Sequence, residues 1–156
     1  MENGIGDTAK KQVSSAKQHT GNITRVLVIV GVLVLLALFL FNGKISAEYM
    51  DTGVTIRGGG YRTEIHFDQV RDVQMYPGPF EVGQPVDGTE KEQYFAGIFC
   101  GGSLPDVETY SLYLDRGFAE DVVIIYYDDS ALVAGSAGLD LPFLYDFMRE
   151  GAGLPD

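Results

Sequence analysis

Glu64, His66 and Asp68 stand two residues apart, so on an extended strand all three would share one face. That spacing could hold a divalent ion or let His66 act as a general base. Exposed strand faces are polar as a rule, however, and a catalytic metal asks for a convincing set of three converging ligands, so a solvated face is the plainer reading. Glu120-Asp121 and Asp128-Asp129 bracket an apolar run. They would stand at its two ends, ~20 Å apart, too far to share one ion. Neither pair fits a calcium-loop spacing, and both read as turn formers. Gly58-Gly-Gly60 lacks the Lys and the following helix of a phosphate loop and reads as a hairpin turn. Ser103, Ser111, Ser130 and Ser136 fall in no nucleophile-elbow pattern, and His19 precedes the apolar run described below. The one cysteine, Cys100, has no nearby Lys or Arg to lower its pKa and reads as structural. No catalytic residue, cofactor site or metal site is assigned on these grounds, and an enzyme is unsupported.

The element that organises the chain is an uncharged apolar run from Val26 to Phe41 through Leu33 and Leu36, flanked by Arg25 and Lys44. Its 16 residues would span about 24 Å as a helix, somewhat short of a ~30 Å hydrocarbon core. Ile23 and Thr24 can extend it, and the stems of Arg25 and Lys44 can snorkel at the two ends. A buried core helix would carry a polar stripe, which this run lacks. The expectation is a transmembrane helix over residues 23–42 behind a disordered tail, 1–22. A cleaved signal peptide ending near Ile45-Ser46-Ala47 is the rival reading. The long leader and the position of Lys44 between the run and the cut speak against it. Gly31 is the only glycine in the run, so no close-packing helix pair is evident.

Charge sets the orientation. Lys10, Lys11, Lys17 and Arg25 against Glu2 and Asp7 leave the first 25 residues at +2, so residues 26–156 carry −13 of a total of −11. Positive charge before the span predicts a cytoplasmic N-terminus and an extracytoplasmic domain in the cell membrane. An excess of acid this large repels nucleic acid and anionic headgroups, and a solvated surface is its simplest meaning. With one cysteine no internal disulfide can form. The residues after the anchor suffice for one domain with one core.

That domain reads as short alternating runs broken by Gly and Asp: Ile45 to Met50, Val54 to Arg57, Tyr61 to Phe67, Val70 to Met75, Tyr94 to Phe99, Thr109 to Leu114, and Val122 to Tyr127 turning at Asp128-Asp-Ser130 into Ala131 to Ala134. Val122 to Tyr127 is apolar on both faces, as a central strand covered on each side would be. Residues 77–93 show no period and read as a long exposed loop. Asp140 can cap a final helix carrying Leu141, Leu144, Tyr145 and Met148 on one face, with Phe143 and Phe147 widening it, Pro142 in its first turn and Gly151 closing its end. Residues 152–156 form a short tail.

Gly53-Val-Thr-Ile-Arg57, Ile65-His-Phe-Asp-Gln-Val-Arg-Asp-Val73, Tyr94-Phe-Ala-Gly-Ile-Phe99, Tyr110-Ser-Leu-Tyr113 and Val122-Val-Ile-Ile-Tyr-Tyr-Asp-Asp-Ser130, followed by the helix, together resemble the bacterial pleckstrin-homology-like (PH-like) domains. The resemblance covers roughly residues 45–150. It implies a mostly β fold, an antiparallel β-sandwich or barrel of about seven strands over residues 43–151, capped by the C-terminal helix. It also implies a non-catalytic binding or assembly module, commonly membrane-tethered. Lys44, Arg57, Arg62, Arg71, Lys91, Arg116 and Arg149 are scattered in sequence, so phosphoinositide binding is not expected. The expected partners are the lipid bilayer, through the anchor, and another protein or a second copy, through a sheet edge or the 77–93 loop. An envelope hydrolase using acidic residues and a divalent metal is the alternative of another class, and release by cleavage near Ala47 is a third.

Overall fold

The computed structural model describes residues 25–36 and 44–155, and the chain divides into two units, Met1–Phe41 and Asn42–Asp156. In the first unit, residues 25–36 form helix α1, and every one of them is exposed, Leu35 by 68%. Arg25, Val26, Leu33 and Leu36 lie in this helix. The rest of the expected span, residues 23–24 and 37–42 with Phe41, falls outside the described residues. Among the described residues no helix is long and apolar enough to cross a membrane.

The second unit is mostly β, with two sheets and a C-terminal helix. β1 (Ser46–Met50), β2 (Gly53–Gly58) and β3 (Tyr61–His66) form an antiparallel meander. Gly59 and Gly60 make the two-residue turn between β2 and β3 with φ of 60° and 89°. Both positions need the left-handed region that glycine enters freely, so the triple glycine is the hairpin its sequence predicts. A single 3₁₀ turn, Phe67–Gln69, then redirects the chain. It is held by Phe67 N donating to Thr52 O at 2.9 Å and by His66 N donating to Gln69 Oε1 at 3.0 Å.

The larger sheet has six strands in the order β4 (Val70–Tyr76), β8 (Val122–Tyr127), β9 (Ser130–Gly135), β7 (Tyr110–Asp115), β6 (Tyr94–Cys100) and β5 (Gln84–Glu90). Val122–Tyr127 is a central strand, as its two apolar faces predict. Three expectations need correction. Nine strands are present among the described residues rather than about seven. β7 and β9 pair in parallel, because the β8–β9 hairpin inserts β9 beside β7, so the fold is not wholly antiparallel. Residues 77–93 are not all loop: β5 lies within them, and Pro85, Gly88 and a register shift between Pro85 and Asp87 erase the alternation that would have marked it.

Two hydrophobic cores form, one on each face of the six-stranded sheet, where one was expected. Val54, Ile56 and Ile65 of the smaller sheet meet Val73, Ala96, Tyr113, Val123, Ile125, Leu132 and Ala134 of the larger one. Helix α2 (Leu141–Gly151) adds Leu144 and Met148 to that core, both fully buried. Fully burying side chains of this size is worth about 1.5–3 kcal/mol each. Asp140 caps the helix by accepting from Phe143 N at 3.0 Å, as its sequence predicts. Gly151 is the last helical residue, and a Cβ there would run into the Phe67 ring. Tyr145 is half-buried and Phe143 is exposed, so the helix buries a narrower stripe than its aromatics suggested. The opposite core gathers Phe99, Tyr110, Leu112, Val122, Ile124 and Val133 beneath Phe80 and Leu104, which come from loops.

Candidate docking edge

The residues with chemical potential do not come together. Glu64 and His66 share the outer face of β3, with His66 Nε2 3.4 Å from Glu64 Oε1. Glu64 also takes Arg62 Nη2 at 2.9 Å. Asp68 is not on that face: β3 ends at His66, and the 3₁₀ turn carries Asp68 away, which breaks the two-residue alternation. Among the described residues no three His, Cys, Asp or Glu side chains converge as a metal site. Asp128 and Asp129 form the β8–β9 turn, Asp128 with φ of 46° in the left-handed region that Asp tolerates. That pair is the turn former expected; at the other end of β8, Glu120-Asp121 lies in a bend leading into the strand, and Asp121 accepts from Gly78 N at 3.3 Å. Cys100 is free and half-buried at the end of β6. Ser103 Oγ accepts from Glu81 N at 3.0 Å, Ser130 Oγ donates to Thr109 O at 2.9 Å, and Ser136 Oγ accepts from Gly138 N at 3.1 Å. These three serines tie loops. The phenols of Tyr110 and Tyr113 are pushed above their ordinary range by burial, as is that of Tyr126, where Asp72 adds to the effect. Burial raises Tyr49 as well, with the charge of Asp140 second.

The exposed large apolar side chains described in the β domain are Val86 at 59%, Phe143 at 49% and Ile98 at 38%. Two of the three stand on the β5–β6 pair, at the rim of the larger sheet. β5 hydrogen-bonds only to β6, so its outer backbone groups are a pairing template. β4, the outer strand at the other rim, packs against α2. Local chemistry shapes the β5 edge. Pro85 has no N–H to offer, the register shift at Val86 turns the strand, and Gln84, Pro85, Val86 and Asp87 are all exposed. Asp87 Oδ1 accepts from Tyr61 Oη at 3.1 Å, which fastens the edge to β3. Gly97 permits that approach: with φ of 124°, a Cβ there would meet the backbone of Asp87 and Gly88 at 2.5 Å. Gly88 in turn lies against the Phe99 ring, 2.8 Å from where its own Cβ would be.

Sequence reasoning read residues 77–93 as loop throughout and missed that their central part is a strand. The signal available was Thr89-Glu90 followed by Glu92 and Tyr94, a hairpin return too polar to stand out. Among the anchor residues, Arg25, Val26, Leu33 and Leu36 are exposed in α1, and Lys44 is exposed at the start of the β domain. No family model matches this chain, and neither a curated protein nor a solved structure matches it.

Proposed function

We propose that the chain is a single-pass membrane protein whose β domain is a non-catalytic docking module. The domain is displayed outside the cytoplasm and binds a protein partner along β5. The observation that carries the docking reading is the pairing of an open edge strand with exposed Val86 and Ile98 in a domain whose other large apolar strand side chains are all buried or half-buried. A partner strand would gain main-chain hydrogen bonds and an apolar contact together, and Asp87 and Glu90 favour a strand bearing Lys or Arg. The two packed sheets with a C-terminal helix support a PH-like module. The parallel β7–β9 pair and the second core depart from the sandwich which that resemblance implies, so the edge carries the proposal.

Two features support an uncleaved anchor. The described part of the apolar run is helical and exposed throughout, with no polar stripe to face water. Cleavage after Ala47 would cut β1 inside its ladder, between the Ala47–Ile56 and Glu48–Thr55 pairs, and would remove the buried Ile45.

Photocrosslinking in native cells tests the docking reading, with a benzoylphenylalanine at position 86 or at position 129. A discrete adduct from position 86 and none from 129 is the expected result. Equal adducts from both, or none from 86, would end the edge reading. Protease shaving of intact cells carrying a C-terminal tag tests the orientation, for which loss of the full-length tagged band is expected.

A further inference from the structure

The open edge of β5 presents its unused backbone groups in a definite phase, which the turn after it sets. Lys91 N donates to Tyr94 O at 2.9 Å across Glu92-Gln93, so Lys91 and Tyr94 are a hydrogen-bonded pair. Bonded and non-bonded pairs alternate along an antiparallel ladder. Thr89 opposite Ala96 and Asp87 opposite Ile98 therefore bond to β6, whereas Glu90 opposite Phe95 and Gly88 opposite Gly97 turn their N–H and C=O away from it. The other side of β6 agrees. Gln93 O accepts from Arg116 N at 2.8 Å, so Phe95 and Gly97, in step with Gln93, serve β7. Pro85, opposite Phe99, also falls outward but has no N–H, which ends the template. The edge thus offers two complete residues, Gly88 and Glu90.

The side chains follow the same period. Asp87, Thr89 and Lys91 share the face toward the smaller sheet, where Asp87 Oδ1 accepts from Tyr61 Oη at 3.1 Å. Gly88 and Glu90 take the other face, Gly88 against the Phe99 ring and Glu90 Oε2 4.0 Å from Arg116 Nη2. Lys91 makes no ion pair among the described residues. A carboxylate, a hydroxyl and an ammonium at alternate positions form an order that is its own complement when reversed.

We infer that the occupant of this edge is β5 of a second copy of the chain, running antiparallel about a two-fold axis through Thr89. Gly88 of each copy then faces Glu90 of the other, and these outward residues exchange both of their backbone hydrogen bonds. Asp87 of each copy faces Lys91 of the other, and Thr89 faces Thr89, the kinds of cross-strand pair that stabilise a sheet. The stem of Lys91 carries apolar surface toward Ile98, which Asp87 pairs on β6. Pairing stops before Pro85, so its missing N–H leaves nothing unsatisfied. Neighbouring registers do worse: an axis at Glu90 sets two carboxylates face to face, and an axis at Gly88 leaves Glu90 without an outward partner. The two six-stranded sheets join into one. This inference rests on the docking reading of β5 and names what docks there.

The test uses the full chain, purified in detergent, with Cys100→Ser and one new cysteine, Thr89→Cys at the axis or Glu92→Cys in the exposed turn. Opposed Thr89 positions stand about 4.5 Å apart between Cα atoms, a span that a disulfide closes. The two Glu92 positions are offset by about 20 Å along the strands. Under copper-phenanthroline oxidation, Thr89→Cys should give a disulfide dimer at least about tenfold faster than Glu92→Cys. Adding Lys91→Glu sets acids face to face at both ends and should slow that dimer about tenfold. Mixing this chain with one carrying Thr89→Cys and Asp87→Lys, on a larger tag, should restore a mixed dimer, because each reversed charge then meets its opposite. Equal rates from the two cysteines, no dimer from Thr89→Cys, or a dimer that Lys91→Glu leaves unchanged would overturn the self-pairing. The photoadduct from position 86 separates this from the docking reading. A discrete adduct of a mass other than twice the chain would keep the edge and overturn the second copy as its occupant, and no adduct would overturn both.

Discussion

On one face of the six-stranded sheet, Val123, Ile125 and Leu132 pack against a second sheet and helix α2; on the other, Val122, Ile124 and Val133 pack beneath Phe80 and Leu104, side chains that loops supply. Both faces are dry, yet their covers differ in kind. The first is regular structure whose backbone satisfies its own hydrogen bonds. The second is irregular backbone fastened by single contacts: Ser103 N to Glu81 O at 3.0 Å, Glu81 N to Ser103 Oγ at 3.0 Å, and Gly83 N to Tyr110 Oη at 3.0 Å. A row of rings runs under this loop cover, from Tyr76 to Phe80 at 5.9 Å, on to Tyr110 at 6.0 Å and to Phe99 at 6.4 Å. Aromatic bulk does there what a second sheet does on the other side.

The largest effects should come from removing one filler from each core. Leu144→Ala, beneath the helix, should cost about 2–5 kcal/mol, and Phe99→Ala, beneath the loops, about 3–5 kcal/mol. A loop cover can settle into a cavity more readily than a sheet can, so the Phe99 loss should fall at the lower end of its range. Urea unfolding of the full chain, followed by tyrosine fluorescence, measures both. A Phe99→Ala cost at the top of its range would show the loop cover to be as rigid as the sheet.

Two tyrosines on β7 sharpen the contrast, because they face opposite ways. Tyr113 Oη shares a 2.9 Å hydrogen bond with Thr63 Oγ1 of β3, while Tyr110 Oη takes the Gly83 amide. Tyr110→Phe leaves a backbone N–H without its partner, at about 1–3 kcal/mol; Tyr113→Phe leaves a half-buried hydroxyl that can turn to water, at about 0.5–1.5 kcal/mol. Burial raises both phenols above their ordinary pKa of about 10. The folded state then keeps its protons where the unfolded chain has begun to lose them. The stabilisation is complete below about pH 10 and is lost as pH rises toward the folded values. Each Phe variant should flatten that alkaline loss, read as ΔG of unfolding against pH.

A third comparison concerns the covers themselves. Asp140→Ala removes the cap of α2 and should cost about 1 kcal/mol. Hydrogen exchange should quicken in residues 141–151 and stay unchanged across the loops around Phe80. Faster exchange at both would show that the two covers open together.

The helix-covered face was legible in the sequence because its elements obey a period. Ile65, Val73 and Leu144 fall at strand or helix spacing, and Asp140 marks where the helix starts. The β8 run was legible for the opposite reason, since six apolar residues in a row leave no face for water. The loop-covered face was not legible, because Phe80 and Leu104 lie among Pro and Gly with no repeat to reveal that they point inward. β5 was lost for another reason: none of its residues is buried, and Pro85, Gly88 and the register shift at Val86 remove the alternation that would mark a strand.

The smaller sheet differs from the larger one in having a single covered face, and Thr55 tests what that means. In register it lies between Glu48 and Glu64 on the outer side of β2. Its side chain is nonetheless fully buried, and Oγ1 has no hydrogen-bond partner among the described residues. An unpaired buried hydroxyl opposes folding, whereas a methyl in the same volume does not. Valine also keeps the β-branched shape that strands favour. Thr55→Val should therefore be neutral or stabilising by up to about 1 kcal/mol, the smallest effect here and the one of opposite sign. A loss of stability in urea unfolding would mean that the hydroxyl is satisfied by water held between the two glutamates. The outer face of the smaller sheet would then be hydrated at its centre, and the two sheets would differ in wetness as well as in cover.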